Sequence, residues 1–270
     1  MSSFDPATDA AEVTALVQAA SDRALDWFRS GRRHEQGAVG DKGGVSGFDP
    51  VTEADRAVED EIRAGLSARF PDHAILGEEA GESGSADAAY RWVIDPIDGT
   101  RAFISGQPMW GTLVGLQHEG VPVAGWMHVP VVGETYVAAG GAAVLRDSAG
   151  QRTLAASAVA ALADATMLCT HPTMFVTDDE QAAFARVADA VRLTRFSGDC
   201  VNYGLVASGD ADLVVENQLQ PYDVIPLIPI VEAAGGVITD REGRPPVRGG
   251  WAIAAATPEL HAAALAALDG

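Results

Sequence analysis

Two aspartates, Asp95 and Asp98, lie three positions apart in WVIDPIDGTRAF, residues 92–103, where an apolar run ends. Pro96 between them forbids a regular helix, Gly99 allows close approach to the backbone, and Thr100 adds a hydroxyl. Taken singly, the two acids read as turn formers or helix N-caps. Aimed together at one spot they demand a positive charge. Hard oxygen donors of this kind suit Mg²⁺, and the N–H groups of a following helix start suit a phosphate.

The same layout, a short apolar strand followed by carboxylates, recurs in ILGEEAG with Glu78 and Glu79, which alone would read as a solvated loop. Asp55 follows Thr52 at the spacing of a capping box, so capping explains it as well as function does. Asp223, in QPYDVIPLIPIVEAAGG, reads as an N-cap with Pro226 in the first turn, and a cap still has a second oxygen for a metal. Lys42, Arg101, Arg195, Asp199 and Glu216 each read as surface or loop charges when taken alone. Cys169 and Cys200 lack any metal-binding spacing and read as small buried thiols, and the histidines form no His-x-x-x-His pair.

The elements that must position these residues are legible as periodicities. Apolar residues from Val13 to Phe28 predict a helix over Ala11–Arg29, and Val58, Ile62 and Leu66 predict a second, stopped by Pro71. Between them Gly37 to Gly47 reads as a loop. Short β-rich pieces at Ala74–Leu76, Trp92–Ile94, Thr112–Leu116, Val121–Val129 and Thr135–Ala139 suggest an antiparallel meander. After about Gly150 the pattern alternates. Strands are expected at Met167–Thr170, Val191–Phe196, Leu213–Glu216, Gly236–Thr239 and Trp251–Ala255, and helices at Asp179–Ala190, after Cys200, from Asp223 and at Pro258–Leu268. The change places a boundary near residue 148, between an α+β half and an α/β half.

At 270 residues and 47% hydrophobic the chain can bury a large core. Its net charge of −20 repels nucleic acid and anionic membranes, and leaves an anionic substrate in need of bound metal. No uniformly apolar stretch reaches the roughly 18 residues of a membrane span, and the start is acidic, so a cytoplasmic location is expected.

GEE at 77–79, DPIDGT at 95–100 and Tyr222-Asp223 ahead of AGG at 234–236 resemble the inositol-monophosphatase superfamily of Mg²⁺-dependent phosphomonoesterases over most of the chain. The longer stretches DPIDGTRAFISGQPMWGTLVGL and SGDCVNYGLVASG, with LQPYDV, look most like its histidinol-phosphate phosphatases, which serve histidine biosynthesis. Tyr222 departs from the Trp of many members, and the segment between Lys42 and Asp55 is longer than in some.

The resemblance implies a layered α-β-α-β-α sandwich of the inositol-monophosphatase/fructose-bisphosphatase type. Residues 1–148 would carry most metal ligands, and 149–270 would add Asp223 and substrate contacts. It further implies two, or three, Mg²⁺ per subunit: one on Glu78, Asp95 and the Ile97 carbonyl, one on Asp95, Asp98 and Asp223, and a third ion or a water at Asp55. Thr100, with Glu78 or Glu79, would orient the attacking water, while Asp98, Gly99 and Thr100 meet the phosphate. Asp199 and Glu216 would contact the rest of a small phosphorylated substrate and favour cationic histidinol phosphate over a neutral polyol ester, while Arg195 would touch the phosphate or restrain Asp199. A homodimer is also implied. The alternatives are an inositol-1-monophosphatase or broad sugar and polyol phosphatase, and, in another class, a non-catalytic Mg²⁺-binding regulatory protein.

Overall fold

Residues 92–97 and 111–117 are buried without interruption and are mostly apolar, because both faces of their strands are covered. The computed structural model describes residues 3–30, 39–41 and 50–270, so Lys42 and most of the Gly37–Gly47 loop lie outside the described residues. Helix α1 (Pro6–Arg23) opens behind Asp5, whose side chain accepts from Ala7 N–H, and ends in a 3-10 turn at Ala24–Asp26. It therefore starts before Ala11 and stops short of Arg29. Helix α2 (Glu53–Arg69) has the expected capping box between Thr52 and Asp55.

The first sheet contains β3 (Ala74–Gly77), β4 (Gly81–Ser83), β5 (Tyr90–Asp98), β6 (Gly111–His118), β7 (Val121–Val129), β8 (Glu134–Ala139), β9 (Ala143–Asp147) and β10 (Gly150–Thr153). Its order is β10-β9-β8-β7-β6-β5-β3-β4, antiparallel except where β3 runs parallel to β5. The hairpin of β9 and β10 crosses residue 148, so this sheet continues to Thr153. A separate two-stranded ribbon pairs β1 (Val39–Asp41) with β2 (Pro50–Thr52).

The second sheet has the order β12-β11-β13-β15-β14, from β11 (Thr166–Cys169), β12 (Leu193–Phe196), β13 (Leu213–Leu219), β14 (Val237–Thr239) and β15 (Gly250–Ala255). Its first three strands are parallel. The remaining helices are α3 (Thr100–Ser105), α4 (Asp178–Ala190), α5 (Val201–Ser208), α6 (Pro221–Val224), α7 (Leu227–Ala233) and α8 (Pro258–Asp269). The single helix expected from Asp223 is thus two short ones, broken around Pro226.

Alternate residues along each strand enter different cores, which sets the layers. Trp92, Val114 and Trp126 pack with Val17 of α1 and Ile62 of α2, whereas Leu113 and Met127 point to the opposite face, toward Val206 of α5 and Ile230 of α7. That middle layer also receives Val214 and Ala254 of the second sheet, while Leu213, Val215 and Ile253 face Val187 of α4 and Leu260 of α8. The outcome is α1/α2, sheet, α5/α7, sheet, α4/α8, the five layers expected. Burying each large apolar side chain contributes about 1.5–3 kcal/mol. Hydrogen bonds lock the layers in register: Trp126 Nε1–H donates to Thr14 Oγ1 at 3.0 Å, tying β7 to α1.

Candidate active site

Residues three apart in a regular strand point to opposite faces, so Asp95 and Asp98 would diverge if β5 were regular. The pairing of β5 with β6 shifts between them. Asp95 stands opposite Leu113 and Asp98 opposite Gly111, which gives β5 one extra residue and turns both carboxylates to the same side. Thr112 Oγ1 donates to the Pro96 carbonyl at 2.7 Å and pins the bulge from β6. Pro96 suits the place, since a bulged residue needs no ladder N–H.

Asp98 then reaches across the chain: its Oδ2 accepts from Cys200 N–H at 2.6 Å, joining the first sheet to the start of α5. Asp223 is carried to the same point by α6. There it is the third helical residue rather than the cap: Gln220 is the N-cap, Pro221 opens the helix, and Asp223 Oδ2 accepts from Gln220 N–H at 2.7 Å. One oxygen each of Asp95, Asp98 and Asp223 lies within 4.8 Å of the others. Glu78, in the turn after β3, lines the pocket beside Asp98 and Asp223.

So many acids at one point cannot all ionise cheaply. Burial, reinforced by Glu78, Asp98 and Asp223, holds Asp95 well above the usual carboxylate range. Burial pushes Asp98 up to about 7 against the pull of the Cys200 hydrogen bond. Asp223 is raised by burial and then by Asp98. Asp55, at the head of α2, is fully buried and pushed up to about 7 by burial, with smaller contributions from Glu78 and Glu79. Its Oδ2 accepts from Thr52 N–H and Oγ1–H, at 2.8 and 2.5 Å.

Asp55 Oδ1 and Asp95 Oδ1 are buried with no hydrogen-bond partner among the described residues. Folded chains rarely leave such atoms unpaired. Orphaned oxygens, mutual repulsion and an all-oxygen donor set are what a hard divalent cation would relieve, and these residues fit one.

The opposite wall comes from the second sheet. Asp199 lines the pocket in a left-handed conformation, φ 47°, packed on Gly99: a Cβ at residue 99 would lie 3.0 Å from its Cγ. Gly99 itself has φ 87°, so its glycine serves both backbone and neighbour. Burial, then Asp98 and Glu216, raise the Asp199 carboxyl, and Arg101 opposes them.

Glu216 also lines the pocket, with both oxygens occupied. Thr170 N–H and Oγ1–H donate at 2.7 Å each and Asn202 Nδ2 at 3.3 Å to Oε1, while Tyr203 OH donates to Oε2 at 2.9 Å. Thr100 Oγ1–H donates to the Ile97 carbonyl at 3.0 Å. Arg195 does not join: it is exposed on β12, outside the pocket lining, and Arg101 is the arginine found there. Sequence reasoning also passed over Cys200, His171 and Thr170, whose place at the pocket depends on packing between sheets.

The profile of the inositol monophosphatase family matches residues 9–269. The bifunctional phosphatase IMPL2 of Arabidopsis thaliana is 38% identical over 72% of this chain, a match that spans only 56% of that relative's length. The histidinol-phosphatase of Chlorobaculum parvum is 36% identical over 81% of this chain and 83% of its own. Among solved structures, an inositol monophosphatase from Zymomonas mobilis superposes with a TM-score of 0.80 at 34% identity, covering 97% of this chain and 96% of that one. The chain therefore belongs to the inositol monophosphatase family, and it is a phosphatase of that family.

Proposed function

We propose that the protein is a Mg²⁺-dependent phosphomonoesterase that hydrolyses histidinol phosphate to histidinol and phosphate. The observation that carries the substrate is Asp199 and Glu216, two carboxylates lining the pocket in addition to those that fit the metal. Their charge suits a leaving group bearing an ammonium and an imidazole, and nothing in a neutral polyol answers it. The inositol monophosphatase neighbour supports the second reading, an inositol-1-phosphatase on the same site.

In this reading Glu78, Asp95 and the Ile97 carbonyl hold one Mg²⁺, Asp95, Asp98 and Asp223 hold another, and Asp55 offers Oδ1 to a third ion or a water. Bound there, the ions supply Lewis acidity at the phosphoryl group and a water of lowered pKa. The Thr100 hydroxyl, its proton directed to the Ile97 carbonyl, keeps its lone pairs for a water hydrogen and so orients attack together with Glu78. Gly99 and Thr100 present main-chain N–H groups to phosphate oxygens at the start of α3. Asp199 receives the substrate cation, and Glu216, held by its four donors, adds a fixed negative charge beneath it.

Residues 1–148 thus provide most ligands, and 149–270 provide Asp223 and the specificity wall. The reading includes a homodimer in the cytoplasm with no nucleic-acid partner. Among the described residues no helix is long and apolar enough to cross a membrane.

The test is phosphate release from histidinol phosphate and inositol 1-phosphate at equal concentration, with and without Mg²⁺. Mg²⁺-dependent preference for histidinol phosphate is expected, and Asp199→Asn should reduce that preference about tenfold, the worth of one charge-assisted hydrogen bond. Preference for the inositol ester would install the second reading.

A further inference from the structure

Glu78 occupies the first position of a three-residue turn, Glu78-Glu79-Ala80, that joins β3 to β4. On one side the turn is tied to β5, since Glu78 N–H donates to the Ile94 carbonyl at 3.1 Å, one residue before Asp95. On the other side lies α2. Glu59, four residues after Asp55 and on the same helix face, is buried to 1% exposure and bonds the turn's main chain. Its Oε2 accepts from Glu79 N–H at 2.7 Å and its Oε1 from Ala80 N–H at 3.0 Å.

Arg63, a further turn along, donates from Nε to Glu59 Oε1 at 2.7 Å and also bonds the Gly81 carbonyl and, at 3.0 Å, Ser83 Oγ. The approach is so close that a Cβ on Gly77 would fall 2.2 Å from Glu59 Oε1. A carboxylate whose two main-chain hydrogen bonds both come from one turn, with an arginine of its own helix behind it, is a costly thing to bury for stability alone.

We propose that Glu59, backed by Arg63, is a positioning residue for the metal site: it fixes the turn so that Glu78 stands at a set place relative to Asp95 and Asp55. One helix then supplies Asp55 to the site and, a turn later, the clamp that holds the next carboxylate. The inference rests on the metal reading above, with Glu78 as a ligand. Ordering the turn before the ion arrives spares the ion that entropic cost, so losing the clamp weakens binding without removing any ligand.

The experiment is Mg²⁺ titration by isothermal calorimetry on the full chain and on Glu59→Gln, alongside each protein's melting temperature. The amide keeps the shape of the side chain but sets an NH₂ group against one of three donors. The Mg²⁺ dissociation constant is expected to rise about 10- to 100-fold. Leu260→Ala, in the outer layer of the second sheet, is the control for lost stability alone and should leave the constant unchanged. Equal binding by wild type and Glu59→Gln overturns the inference, as does an equal rise in Leu260→Ala. Absence of Mg²⁺ binding by the wild type overturns the metal reading and the inference with it.

Where Glu59→Gln does not fold, Arg63→Met decides, because it loosens Glu59 while leaving both main-chain bonds in place. It is expected to weaken binding about threefold, and wild-type affinity in that variant overturns the inference.

Discussion

Asp95 and Glu216 are both carboxylates with almost no exposed surface, 2% and 1%, on strands of different sheets in one site. Their oxygens meet opposite surroundings. Glu216 is enclosed by Thr170, Asn202 and Tyr203, whose donors occupy both of its oxygens. Asp95 Oδ1 has no partner among the described residues, and its neighbours Glu78, Asp98 and Asp223 repel it. The protein satisfies one buried carboxylate with its own neutral donors and leaves an oxygen of the other without one. Under the proposed function that contrast divides the site into a half that depends on a cation and a half that does not.

The largest effect is expected at Asp98→Asn. Turnover should fall at least about a thousandfold, because several kcal/mol of metal-supplied stabilisation is lost. The fold should persist: the amide oxygen can still accept from Cys200 N–H, and one repelling charge leaves the cluster. The Mg²⁺-free variant should melt at or above the wild-type temperature at pH 8. Normal hydrolysis by this variant would break the division at its centre.

Next in size is the pH dependence of stability without added cation. Asp55 and Asp98 are pushed up to about 7 by burial, against about 3.9 for an unfolded aspartate. A raised folded pKa means that the folded chain holds the proton more tightly. These groups therefore contribute stability that is fully present below about pH 4 and is lost as pH rises through about 7, at up to about 1.4 kcal/mol per group and pH unit. The melting temperature of the metal-free protein should fall between pH 5 and 8. Mg²⁺ at about 100 times its dissociation constant should restore about 2.7 kcal/mol and flatten the profile. A flat profile without Mg²⁺ would mean that the carboxylates do not repel as their placement requires.

The two halves also differ in how far the sequence disclosed them. The DPIDGT motif and the strand-then-acid layout located Glu78, Asp95 and Asp98, the Tyr-Asp pair ahead of AGG located Asp223, and the Thr52–Asp55 spacing located the start of α2. The bulge that aims Asp95 and Asp98 to one side left no local sign beyond Pro96, because it is a mismatch between two strands. Glu216 gave still less, since its donors lie 13 to 46 residues away and only the parallel pairing of β11 with β13 brings Thr170 to it. Arg195 and Arg101 could not be ranked by charge alone, and it is the edge position of β12 that leaves Arg195 outside the pocket. Strands β4, β9 and β10 are short and partly exposed, so they carry little periodicity and owe their existence to neighbours.

The smallest effect is expected at Glu216→Gln. The amide can keep an acceptor toward Thr170 but must turn its NH₂ group toward Tyr203 OH, whose proton is now directed at Oε2. Tyr203 can rotate its hydroxyl to accept instead, so the network is degraded rather than lost. The cost should be about 1–3 kcal/mol, or roughly 2–12 °C in melting temperature for a chain of this size. The rise in melting temperature on adding Mg²⁺ should match that of the wild type, since Glu216 is satisfied by protein donors and not by the ion. A shrunken Mg²⁺ response would show that Glu216 belongs to the cation-dependent half after all, and that its four donors hold it for the metal rather than in place of one.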